Sequence, residues 1–139
     1  MQTIYTAQAK VEGGRAGKGR TSDGRLEVTL STPKTLGGDD GPGTNPEQLF
    51  AVGYASCFES ALRMVARGQK IALPPGSGIE SAVALQKEES GAFRLGVELK
   101  GTFPGLPREQ GEKLMRDAHQ VCPYSNATRG NVDVKLSVA

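Results

Sequence analysis

From Pro46 to Arg67 the chain is built to be a helix, and over the first three turns that helix is apolar nearly all round; nothing else constrains the fold as much. Asn45-Pro46-Glu47-Gln48 opens it. Asn45 can cap, proline suits the first helical position, and an acidic Glu47 favours the positive end of the helix. The run Leu49-Phe50-Ala51-Val52-Gly53-Tyr54-Ala55-Ser56-Cys57-Phe58 follows, and Glu59, Arg63 and Arg67 enter only in the second half. A helix over 46–67, stopped by Gly68, is therefore expected to be buried in the middle of a fold or an interface. The apolar segment 49–58 already contains Gly53, Tyr54 and Ser56, and is far short of the roughly 20 residues that span a bilayer. No membrane span is expected.

The rest of the chain reads as sheet around helices. Leu26, Val28 and Leu30 alternate with Arg25, Glu27 and Thr29, and Ser22-Asp23-Gly24 is turn chemistry, so a hairpin precedes residue 25 and the N-terminal third is mostly antiparallel sheet. Residues 32–44, rich in Gly, Pro and Asp, form a surface loop. Two strands, 82–86 and 93–99, are joined across 87–92, with Phe93, Leu95, Val97 and Leu99 at a clean period of two. Pro107 opens a second helix whose apolar positions Leu114, Ala118, Val121 and Cys122 share one face. Pro123-Tyr124-Ser125-Asn126 is turn-prone, and a last strand runs over 132–138. The order of sheet, helix, sheet, helix and strand makes the fold α+β, and the 139 residues fit one domain, 1–139, that needs no covalent staple.

Several function classes fall away on composition and spacing. A net charge of +2, with Lys and Arg scattered among Asp and Glu, gives nucleic-acid binding little support, and Arg15, Lys18, Arg20 and Arg25 read as a solvated face. Two cysteines are too few for a secreted disulfide framework, and Met1-Gln2-Thr3-Ile4-Tyr5 has neither a charged nor an apolar leader region, so a cytoplasmic protein is expected. His119 and Cys122 are three apart on a helix and Cys57 could join them, but these are the only His and Cys residues and nothing else in the chain has zinc-ligand spacing, so no metal is expected. No Gly-x-Ser-x-Gly elbow accompanies His119 and Asp117, and His119 reads as a surface or cap histidine. The glycine-rich segments 13–19 and 37–43 lack a phosphate-binding fingerprint, and Asn126-Ala127-Thr128 is an incidental sequon.

The two thiols carry what chemistry the residues suggest. Cys57 lies inside the apolar helix, and Cys122 closes the core face of the second helix just before Pro123. Both readings of them stay open: inert core thiols packed as small hydrophobes, or a dithiol–disulfide pair brought together by the fold. The reactive form of a thiol is the thiolate, and an apolar surrounding raises its pKa unless a cation offsets the burial. Arginine is the natural cation, because guanidinium stays charged when partly buried and can hold a sulfur, a carboxylate and a peroxide oxygen in one plane.

The words of the sequence add a resemblance. Gly14-Arg15-Ala16-Gly17, Ser22-Asp23-Gly24, Thr44-Asn45-Pro46-Glu47-Gln48-Leu49-Phe50, Ala55-Ser56-Cys57-Phe58 and Val121-Cys122-Pro123-Tyr124-Ser125-Asn126-Ala127-Thr128-Arg129-Gly130-Asn131-Val132 together resemble the organic hydroperoxide resistance (Ohr) branch of the Ohr/OsmC family. The resemblance covers nearly the whole chain. It implies antiparallel sheets packed around a long buried central helix in an intertwined homodimer. It also implies a bacterial thiol peroxidase that reduces organic and fatty-acid hydroperoxides, takes electrons from lipoylated proteins or dihydrolipoamide, and needs no cofactor. By motif, Cys57 resembles the peroxidatic cysteine, Cys122 the resolving one, and Arg15 and Glu47 the polar pair that organises the site.

On that reading, Phe50, Gly53, Tyr54, Ala61 and Met64, at three, four or seven positions from Cys57, form an apolar substrate pocket together with the adjacent Phe58. Glu47 and Cys57 are about 15 Å apart along one straight helix, too far for contact. Either the reach of an arginine closes the gap, or a second helix crosses antiparallel near Val52 and Gly53 and sets Glu47 of one chain beside Cys57 of another, where small Ala51, Gly53 and Ala55 would permit a close crossing. Three rivals remain: an OsmC-branch peroxidase of broader substrate range, a non-enzymatic thiol redox sensor, and a ligand-binding module with inert thiols.

Overall fold

Asn45 caps the central helix as its sequence predicts: its Oδ1 accepts the backbone N–H of Gln48 at 2.8 Å, and Pro46 takes the first helical position. This helix, α1, runs Pro46–Gly68. The computed structural model describes all 139 residues and divides them into two compact units, Met1–Leu49 and Phe50–Ala139, with α1 beginning in the first and continuing into the second. The fold is α+β, with two small sheets and a central helix.

In the first unit β1 (Ala9–Glu12), β2 (Lys18–Thr21) and β3 (Glu27–Thr29) form an antiparallel sheet in the order β1-β2-β3. The expected turn at 22–24 joins β2 to β3, with the Asp23 carboxylate accepting the Thr21 hydroxyl at 2.8 Å and the Arg25 N–H at 3.0 Å. Segment 32–44 is irregular apart from a 3₁₀ turn at Lys34–Leu36, and a parallel bridge between Leu30 and Thr44 closes its ends. Leu30 is the one buried apolar side chain of this unit, while Ile4, Tyr5, Val11 and Leu26 are exposed. Three strands this short do not stand on a single buried leucine; such a sheet needs an apolar face covered.

The second unit holds the core. β4 (Gly78–Lys87) and β5 (Phe93–Thr102) are antiparallel and each extends beyond its expected bounds, since the register holds without a break from Gly78↔Thr102 to Lys87↔Phe93. β6 (Val134–Val138) lies parallel to β5, and the return this requires is made through α2 (Arg108–Val121) and α3 (Pro123–Thr128). Tyr54, Phe58, Leu62 and Ala66 of α1 pack with Val97, Leu99, Phe103, Leu114, Met115 and Ala118.

Two expectations need correction, at α2 and after it. Within one chain the buried residues of α1 form one stripe, and Val52 is 71% and Met64 57% exposed. By length and composition α1 is the one helix long and apolar enough to cross a membrane, yet that stripe is the core of the second unit. On α2 the buried positions are Gly111, Leu114, Met115 and Ala118, and Val121, the last helical residue, is exposed, because the chain turns at Cys122 (φ −65°, ψ 124°) and no further turn of helix covers it. The turn expected at 123–126 is the short helix α3, started by Pro123 at a position where proline's fixed φ is already helical.

Candidate active site

Cys57 sits at the border of the α1 core stripe, one residue before Phe58 and three after Tyr54. Cys122 occupies the corner between α2 and α3, serving as C-cap of one and N-cap of the other. The fold brings them together: Cys122 Sγ stands 3.6 Å from Cys57 Sγ, both are free thiols, and a disulfide bond at about 2.05 Å needs only a small further approach. Access differs between the two, since Cys57 is half-buried and Cys122 fully buried. Burial pushes the Cys57 thiol above its ordinary value; the Tyr124 backbone N–H, donating toward the sulfur, pulls it down, and neighbouring Cys122 pushes it up again. No cation is among the groups that shift it.

A chain of hydroxyls and one imidazole lies beside the sulfurs. Tyr54 Oη is 2.8 Å from Ser125 Oγ and 3.1 Å from Thr128 Oγ1, and Ser125 Oγ is 2.8 Å from His119 Nδ1. With the Thr128 hydroxyl donating to the Ser125 carbonyl at 3.2 Å, Thr128 Oγ1 accepts from Tyr54, Tyr54 from Ser125, and Ser125 from His119 Nδ1–H. The reverse order, in which Thr128 donates to Tyr54, Tyr54 to Ser125 and Ser125 to His119 Nδ1, makes the same three contacts and leaves the ring proton on Nε2. Burial holds this imidazole below its ordinary value of about 6.5, and the Arg129 charge acts the same way, so the ring is neutral at pH 7.

The expected pocket residues divide by their place around α1. Tyr54, Phe58 and Ala61 are buried in the core stripe and offer no open surface in this chain, because the turn of the helix aims them at β5 and α2 rather than at solvent. Phe50 and Gly53 lie half-buried beside Tyr124, whose ring is 6.1 Å from that of Phe50. A Cβ on Gly53 would come within 3.2 Å of the Tyr124 hydroxyl, so a glycine there lets the ring lie close against the helix. Met64 is open.

In the first unit Arg15 and Glu47 find each other. The guanidinium donates both Nη1 and Nη2 to the carboxylate, at 2.8 and 2.7 Å. A 3₁₀ turn at Gly14–Ala16 presents Arg15, closed by Gly17, where a Cβ would fall 1.7 Å from the Glu12 carbonyl oxygen, and Thr32 donates its hydroxyl to the Arg15 carbonyl at 3.2 Å. The Arg15 hydrogen bonds hold the Glu47 carboxyl below the usual carboxylate range against the opposing effect of burial. No group of three His, Cys, Asp or Glu side chains is placed to hold a metal ion.

The OsmC-like protein family matches residues 37–137 of the chain. An organic hydroperoxide resistance protein from Xanthomonas axonopodis pv. citri is 49% identical over 138 residues, covering 99% of this chain and 96% of the relative. The chain belongs to the organic hydroperoxide resistance branch of the OsmC-like family. An organic hydroperoxide resistance protein from Legionella pneumophila, also described as a predicted redox protein, superposes with a TM-score of 0.93 at 52% identity, covering 99% of both chains. A putative organic hydroperoxide resistance protein from Vibrio cholerae, with captopril bound in one of the active sites, superposes at 0.91 with 48% identity, over 99% of this chain and 94% of the other.

Within this Ohr-type chain the sequence-derived residues thus fall into two clusters, Cys57 with Cys122 and Arg15 with Glu47. Tyr124 and Ser125 were read only as turn formers and His119 as a surface or cap residue, yet all three sit at the site. The signal that could have found Ser125 is an interval: Tyr54 precedes Cys57 by three residues and Ser125 follows Cys122 by three.

Two outcomes follow from these groups. Glu47, with its folded pKa depressed, stabilises fully above the ordinary glutamate value of about 4.3, and that stabilisation is lost as pH falls through the folded value. Glu47→Gln is therefore expected to flatten the acid limb of a pH–melting-temperature profile and to leave its slope above pH 6 unchanged; an unaltered acid limb refutes the pairing. Nitrogen-15 NMR of the ring at pH 7 tells the two orders of the hydroxyl chain apart: the Thr128 bond to the Ser125 carbonyl requires the His119 proton on Nδ1, and a proton on Nε2 rules that bond out.

Proposed function

We propose that this chain is a cysteine-based hydroperoxide reductase that converts alkyl and fatty-acid hydroperoxides to alcohols and is recycled by lipoyl dithiols. The observation that carries the reading is the sulfur contact: an accessible Cys57 with a fully shielded Cys122 in bonding reach. The Cys57 thiolate attacks the distal peroxide oxygen, the O–O bond breaks, and the alkoxide takes a proton and leaves as the alcohol. Cys57 is now a sulfenic acid. Cys122 attacks its sulfur, water leaves, and the resulting disulfide keeps Cys57 from further oxidation to sulfinic acid. A dihydrolipoyl group reduces the disulfide by exchange and leaves as its own cyclic disulfide.

Burial alone leaves Cys57 protonated, so the mechanism needs a cation. Arg15, oriented by Glu47, is the residue assigned here, and residues 1–139 act as one functional domain in a reducing cytoplasm. A homodimer completes the site. In support of a second copy stand the open face of α1 at Val52 and Met64 and the nearly coreless first unit. The apolar residues Phe50, Gly53 and Met64 on the Cys57 side of α1 favour alkyl hydroperoxides over hydrogen peroxide, by about fourfold in kcat/KM for each methylene buried at about 0.8 kcal/mol.

Steady-state assays with cumene hydroperoxide and hydrogen peroxide, each with dihydrolipoamide or glutathione as donor, test the reading. Wild type is expected to turn over repeatedly with cumene hydroperoxide and dihydrolipoamide, Cys57→Ser to fall to the uncatalysed rate, and Cys122→Ser to react once and then accumulate sulfinic acid. A single stoichiometric oxidation without turnover would instead favour a redox sensor, and an unimpaired Cys57→Ser a binding module with inert thiols. For the dimer, size-exclusion chromatography coupled to the assay is expected to show activity lost with dilution to monomer; an active monomer removes the shared site.

A further inference from the structure

Each sulfur has a polar companion on its own segment: Tyr54 three residues before Cys57 on α1, and Ser125 three residues after Cys122 on α3. The companions meet at 2.8 Å, beside the 3.6 Å gap between the sulfurs. A six-residue helix is too short to be held by its own hydrogen bonds, so side-chain anchors set the place of α3. Ser125 supplies two anchors from one oxygen, to Tyr54 on α1 and to His119 on α2, and it is fully buried, so water does not replace either. The other ties are weaker or more exposed: Thr128 to Tyr54 at 3.1 Å, and the Arg129 guanidinium to the His119 carbonyl and Asn126 Oδ1.

We propose that Ser125, gripped by Tyr54 and His119, is a positioning residue for the thiol pair. It fixes the corner between α2 and α3 so that Cys122 Sγ stays within bonding reach of Cys57 and the Tyr124 N–H stays on the Cys57 sulfur. Since it takes the two cysteines for redox partners, this inference rests on the peroxidase reading, but it does not depend on peroxide being the oxidant. When the corner drifts, ring closure slows and a Cys57 sulfenic acid meets a second hydroperoxide first, ending as sulfinic acid.

Diamide tests the geometry without peroxide: as the S–S bond forms, this diazene takes the two thiol protons and two electrons and becomes a hydrazine. Diamide closure of the Cys57–Cys122 disulfide, read by mass spectrometry of alkylated thiols, is expected to slow about tenfold in Ser125→Ala, the scale of losing two buried hydrogen bonds. Tyr54→Phe, which keeps the ring, is expected to slow in the same direction and carries the comparison if Ser125→Ala unfolds. Leu99→Ala removes a fully buried β5 side chain outside the network and is expected to close at the wild-type rate even if its melting temperature falls further. With excess cumene hydroperoxide the two network variants are expected to divert severalfold more Cys57 to sulfinic acid. Wild-type closure in the folded network variants, or equal slowing in Leu99→Ala, overturns the proposal. A wild-type protein that closes with diamide yet turns over no hydroperoxide counts against the peroxidase reading alone, and the diamide rates still decide the role of Ser125.

Discussion

Helix α1 meets the corner between α2 and α3 along a line on which two pairs of side chains face each other, Tyr54 with Ser125 and Cys57 with Cys122. The apolar stripe of Tyr54, Phe58, Leu62 and Ala66 seats the helix against β5 and α2 and so determines which of its faces looks at that corner. The hydroxyl pair then sets the local spacing, because a hydrogen bond tolerates far less sliding than apolar contact does. Gly53 adds the clearance that lets the Tyr124 ring lie beside the helix. The stripe thus chooses the face, and the hydroxyl chain with the Gly53 clearance sets the distance between the sulfurs.

The same burial that positions the thiols works against the reactivity of Cys57. Moving Cys57 out of water favours its neutral form, and the one nearby group that opposes this is a backbone N–H. On the proposed reading, the two-pronged Arg15–Glu47 pair is the other half of the electrostatics, a guanidinium oriented by a carboxylate on the first turn of the helix that carries Cys57. Organisation of this kind suits a charge that develops during reaction, since the donors need not reorient when it appears.

Much of the fold was legible wherever a period was. The capped start of α1, the alternation in β5 and the turn at 22–24 all appear where the residues placed them. Where the reading slipped, a change of backbone direction was the cause: the helix ends before Cys122, so Val121 on its last turn is left uncovered and α3 begins where a turn was expected. The parallel placement of β6 was equally out of reach, because a strand's alternation says which of its faces is buried and nothing about its partner's direction. At the site, the two cysteines and the Arg15–Glu47 pair could be named from their motifs, whereas Ser125 and His119 could not, since polar residues near a proline are ordinarily turn formers.

By itself, then, the sequence determined the elements and the family: a proline-started helix too apolar for water, strands at period two, and motifs shared along nearly the whole length. Local propensity and side-chain spacing suffice for these, because they act between near neighbours in the chain. Only the tertiary structure decided that residues far apart in sequence stand 3.6 Å apart in space, that one thiol is half-buried and the other sealed, and that a buried serine ties two helices together beside them. Those facts depend on how the helices rotate against each other, and that rotation is set by packing across the whole core rather than by any local stretch of the chain.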